Sequence, residues 1–114
     1  MRNNMEKQPV PWDGFIYNVT VKTDARIADA WLKWMVNEHI PQMMRTGCFT
    51  DHRIVRLLDI DDSEGPTYAL QYHAASRADY NRYIELHAAQ LRKASFDKWG
   101  DRFIAFRSLM EVVQ

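Results

Sequence analysis

The sequence predicts an α+β fold of order βαββαβ: a four-stranded antiparallel sheet with two helices on one face. Three observations predict it. Four segments alternate apolar and polar residues with the period of a strand, two segments between them set apolar residues at helical spacing, and turn-forming residues separate the six. A length of 114 residues with 46% hydrophobic content is enough for one core without disulfides or a metal staple.

Residues 1–13 are polar, carry Pro9 and Pro11, and lack periodicity, which predicts a flexible tail that at most packs over the surface through Trp12. The single domain is expected over residues 14–114. Phe15, Tyr17, Val19 and Val21 alternate with Ile16, Asn18, Thr20 and Lys22 as a half-buried first strand. Thr23 or Asp24 can cap the first helix, whose apolar stripe is Ile27, Ala30, Trp31, Trp34 and Met35. His39 lies on that stripe, and Pro41 predicts an end or kink at Ile40. A further turn over residues 42–46 stops at Gly47. Residues 49–60 are expected as a long second strand, the acidic stretch ending in Gly65-Pro66 as a hairpin turn, and residues 67–74 as the third strand. Ser76 with Asp79 predicts a capping box for the second helix, with the stripe Tyr80, Tyr83, Ile84, His87 and Leu91 and a stop at Trp99-Gly100. Residues 102–113 form the last strand, with Ile104, Phe106, Met110 and Val112 on one side.

Two helices leave one sheet face uncovered. Asn18, Thr20, Gln71, His73 and Arg107 are expected on it, in phase with Phe103, Leu109 and Val113. A face of that mixture suits a subunit interface, so a homodimer is the predicted state.

Charge and motifs exclude more than they assign. Lys and Arg number 15, as do Asp and Glu, so no net field favours nucleic acid or an anionic membrane. The single cysteine, Cys48, cannot close an internal disulfide, and no apolar run reaches the length of a signal or spanning segment, which makes a cytoplasmic setting the simplest expectation. The histidines and Cys48 lack metal-ligand spacing, and the turn from Asp59 has Glu64 and Leu70 where a calcium loop needs glycine and glutamate, so neither metal nor cofactor is predicted. Cys48 has no accompanying base that would make it a nucleophile. Trp31, Trp34 and Met35 have the spacing of a buried helix face, and Arg53, Arg56, Arg102 and Arg107 are expected in interface ion pairs before anion binding.

The segments Phe15-Ile-Tyr-Asn-Val-Thr-Val21, Trp31-Leu-Lys-Trp-Met35, Glu38-His-Ile-Pro41, Thr46-Gly-Cys-Phe49, Thr67-Tyr-Ala-Leu-Gln-Tyr72, His87-Ala-Ala-Gln-Leu-Arg92 and Asp101-Arg-Phe-Ile-Ala-Phe-Arg107 resemble the family Domain of Unknown Function 4286. Gln42 and Ser108 stand where that family would carry Glu and Thr. The family implies no activity. More coarsely, the order of elements resembles the dimeric α/β barrels, in which two ferredoxin-like subunits press their sheets together. That superfamily includes cofactor-free monooxygenases, haem-degrading enzymes, isomerases and proteins without a known reaction. It implies a dimer and a cleft between sheet and helices, and function does not follow from such a fold.

The candidate pocket is His39 and His87, one from each helix stripe, with Tyr17 and Tyr72 from the apolar phases of the first and third strands. Imidazole suits proton transfer near neutral pH, and the alternative for each histidine is a packed ring satisfied by a carbonyl or a tyrosine. The candidate dimer face is Asn18, Gln71, His73 and Arg107. The expected function is a small-ligand-binding or protein-interaction module. The alternative is a small oxygenase or isomerase using His39 and His87 in the sheet–helix cleft. A haem-degrading variant would call on Asn18 and a helix-two histidine, although tyrosines stand where that resemblance would place a tryptophan.

Overall fold

The structure is a computed structural model and describes residues 12–114. The expected tail therefore lies, apart from Trp12 and Asp13, outside the described residues. Strand β1 (Phe15–Thr23) is central and pairs antiparallel with β3 (Thr67–Ala74) and β4 (Phe103–Glu111), while β2 (Asp51–Arg56) edges β3, giving the order β2-β3-β1-β4. One face is covered by α1 (Ala28–Trp34), a π-helical turn (Met35–His39), α2 (Ile40–Arg45), α3 (Arg77–Leu86) and α4 (Ala88–Trp99). The core lies between these layers, where Tyr17, Val21, Leu70 and Tyr72 of the sheet meet Trp31, Met35, Met43 and Tyr83 of the helices. Trp31 is buried, but Trp34 is only half-buried, with its ring against His39 and edge-on to Trp99.

The first helix continues through Pro41. Proline cannot donate an amide hydrogen and its ring crowds the carbonyl four residues back, both of which disfavour a regular helix interior. The chain resolves this by widening just before it: Ile40 N–H bonds to the Met35 carbonyl five residues back, and Pro41 falls in the first turn of α2, where no donor is needed. At the other end, Thr23 belongs to β1, and the Asp24 carboxylate accepts the Arg26 N–H at 2.8 Å before α1 begins.

The second helix is capped as expected on one side, Ser76 Oγ accepting the Asp79 N–H at 3.1 Å, while the Asp79 carboxylate turns to Arg82 at 2.9 Å. It then breaks at His87, whose backbone leaves the helical region at φ −129°. The second strand is shorter than the apolar run suggests. Leu57 N–H still reaches the Thr67 carbonyl at 3.0 Å, but Asp59 takes a positive φ of 58° and the chain leaves the ladder. The hairpin's far end is pinned under β1 at Gly65, whose φ is +152° and where a Cβ would lie 1.8 Å from the Thr23 carbonyl oxygen.

Strand β4 has the opposite phase to the one its hydrophobic pattern suggests. Val19 pairs with Arg107, Val21 with Ala105 and Tyr17 with Leu109, so Phe103, Ala105, Arg107 and Leu109 share the helix side with the core residues of β1. Arg107 is thus not a member of the outer face. Ile104, Phe106 and Met110 are, and they stand exposed there with Val55 of β2.

Candidate functional site

A cavity of about 40 Å³ lies between sheet and helices, room for roughly a few water molecules. Strand β1 sends Tyr17, Val19 and Val21 into its wall, β3 sends Leu70 and Tyr72, and Trp31, Met35 and Met43 close it from the first helix. His39 enters from the π turn and Tyr83 from α3. Arg92 and Ser95 of α4 and Phe103, Ala105 and Arg107 of β4 complete the lining, Arg107 being exposed.

Burial, and then the positive charge of Arg107, lowers the His39 pKa to about 4, so the ring is neutral at pH 7. Its Nδ1 is buried without a hydrogen-bond partner. Burial likewise raises the Tyr72 and Tyr83 hydroxyls above the ordinary phenol range. The Tyr83 hydroxyl donates to Met43 Sδ at 3.4 Å, and Arg92 Nη2 donates to the Tyr17 hydroxyl at 3.1 Å. Arg92 Nε has no partner.

Of the sequence-expected pocket residues, His39, Tyr17 and Tyr72 line this cavity together. His87 does not: it stands at the break between α3 and α4, beside a separate surface depression with Gln42, Arg45, Thr46, Gln90, Leu91 and Ala94. The two histidines therefore form no shared acid–base pair. The break causes this, because it resets the helical phase at the residue that the stripe assigned inward.

Asn18, Gln71 and His73 lie on the outer face, where a polar chain runs across the strands: Arg53 Nε to Gln71 Oε1 at 2.7 Å, Gln71 Nε2 to Asn18 Oδ1 at 3.2 Å and Asn18 Nδ2 to Thr20 Oγ1 at 3.0 Å. Asn18 is thus on the far side of the sheet from the cavity. His73 is buried beneath Trp12, with ring centroids 5.5 Å apart, and is held by Thr50 Oγ1 and the Asp13 carbonyl. The indole of Trp12 also donates to Asp51 at 2.9 Å and lies under the Arg53 guanidinium. Arg92, Ser95, Met43 and Tyr83 complete the cavity without having been expected in it. Tyr83 was on a recognised stripe; Arg92 carried no signal, since its inward direction depends on the break at His87.

Among the described residues, no three His, Cys, Asp or Glu side chains are placed to hold a metal ion, and no helix is long and apolar enough to cross a membrane.

An antiparallel sheet in this strand order, helices on one face and a cavity between the layers define a ferredoxin-like α+β domain. The chain belongs to the family described as domain of unknown function (DUF4286), which matches residues 14–113. No curated protein matches it. Among solved structures it is similar to two dimeric ferredoxin-like proteins from an uncultured marine organism, at 16% and 14% identity and TM-scores of 0.63 and 0.64, each alignment covering 88% of this chain and 95% of the other. It is also similar to an ethyl tert-butyl ether d (EthD) family protein from Bacillus halodurans, at 11% identity and a TM-score of 0.61, covering 86% of this chain and 99% of that one. At such identities the likeness is one of fold.

Proposed function

We propose that this domain is a small-ligand-binding homodimer, with the ligand seated between sheet and helices and the second subunit against the outer sheet face. The observation that carries the reading is the cavity itself: an aromatic chamber with an unpartnered buried imidazole nitrogen, an arrangement that a bound polar group would complete. The dimer is supported by exposed Phe106, Ile104, Val55 and Met110 on a face that no helix covers. Two fold neighbours described as dimeric are consistent with it. A cytoplasmic setting, where thiols stay reduced, suits the buried free Cys48.

Light scattering at micromolar concentration tests the assembly: twice the 13.5 kDa chain mass is expected, with an interface above about 1,200 Å² in total. Phe106→Arg, which sets a charge in the middle of the exposed apolar row, should return the monomer mass while preserving the melting transition. Mass spectrometry of small molecules released on denaturation tests the cavity. A monomer with nothing retained would leave a protein-interaction module.

A further inference from the structure

We propose that the cavity takes a small carboxylate, its charged end held by Arg92 and Arg107 beside the tyrosine hydroxyls and any longer body leaving past Arg107. The inference rests on the cavity being a ligand site and names the class of ligand.

Two guanidiniums from different elements, Arg92 of α4 and Arg107 of β4, line the cavity, and no Asp or Glu does. Among the described residues, neither guanidinium has a carboxylate within ion-pair distance. Arg92 uses Nη2 on the Tyr17 hydroxyl and keeps a buried Nε with no acceptor. His39, at 8% exposure, has a second orphaned nitrogen in the same wall. A buried guanidinium N–H without an acceptor is unfavourable, Arg107 adds a second positive charge at the exposed side, and an anion with two acceptor oxygens matches the planar fork of arginine.

The remaining groups contribute hydrogen bonds without adding negative charge. Burial keeps His39 neutral near pH 7, and the raised Tyr72 and Tyr83 phenols keep their protons. The enclosed space of about 40 Å³ holds only a few atoms, and the exposed position of Arg107 on the edge strand gives a longer body a way out.

Calorimetric titration of the purified protein with acetate, benzoate, inorganic phosphate, acetamide and benzamide tests this. Acetate or benzoate should bind saturably and its amide at least about tenfold more weakly, because a hydrogen bond to an ionised group is the stronger one. Arg107→Gln and Arg92→Gln should each weaken carboxylate binding about ten- to hundredfold. Arg92→Lys, which keeps the charge and loses the fork, should fall between wild type and Arg92→Gln. The exposed Arg26→Gln should change nothing, and melting curves should show all variants folded. Equal affinity for benzoate and benzamide, or tighter binding of phosphate than of either carboxylate, would overturn the carboxylate assignment while leaving a ligand cavity. No binding by any of the five compounds would overturn both.

Discussion

Acidifying the protein from pH 7 to pH 4 should destabilise it through His39 by about 3 kcal/mol. Folding lowers the pKa of this ring from 6.5 to about 4, first by burial and then through Arg107. Between those values the unfolded chain binds a proton that the folded chain does not, so stability rises with pH across the window. The contribution is fully present above pH 6.5 and is lost as pH falls toward 4. At about 1.4 kcal/mol for each tenfold step, the separation amounts to about 3 kcal/mol. The ring lies against Trp34, with centroids 5.0 Å apart, and shares the cavity with Arg107 from β4, Arg92 from α4, and Tyr17, Tyr72 and Tyr83. Urea denaturation at pH 7, 5.5 and 4 on wild type and His39→Gln isolates the effect, since every other titration is common to both. The wild type should lose about 3 kcal/mol more than the variant over this interval. Parallel pH profiles would refute the argument and mean that the ring protonates without leaving its site.

Trp31→Ala should cost about 3–5 kcal/mol, because the indole is buried and stacked on Tyr68, whereas Trp12→Ala, at the edge of the outer face, should cost about 1 kcal/mol; equal losses in thermal melts would contradict the burial of the first. Gly65→Ala should cost at least about 2 kcal/mol, since its Cβ would meet the Thr23 carbonyl, while Gly47→Ala, with nothing within 4 Å, should lose only the left-handed backbone penalty of about 1 kcal/mol. Denaturant midpoints that match for the two glycine variants would show that the hairpin end can move away from β1.

The strands and their order were legible because alternation is a property of each segment alone. The phase of β4 was not. Its more apolar set, Ile104, Phe106 and Met110, points away from the helices, and a rule that sends the most apolar residues to the core misassigns a strand whose outer side is apolar too. Arg107 then went to the wrong face, and half of the cavity's positive charge with it. His39 was found because it follows Met35 by four residues on the apolar stripe, and the π turn, which the sequence did not announce, keeps it on the side that faces the sheet. His87 was misplaced because nothing in the residues around it, Glu85, Leu86, Ala88 and Ala89, marks a backbone break. Pro41 was read correctly as an irregularity, but the irregularity took the form of a wider turn before it and not a stop.

That wider turn has a consequence for how the helix tolerates changes in length. Eight α-helical residues would carry His39 about 80° around the axis from Trp31, enough to swing the ring off the sheet. The π turn takes in an additional residue and removes the drift, so the eight-residue spacing behaves like the seven that nearly complete two turns. The chain can therefore lose one residue among Val36, Asn37 and Glu38, returning the turn to α-helical spacing, while Trp31 and His39 keep their azimuth. Here the helix absorbs an insertion locally, at the turn that delivers the imidazole to the cavity.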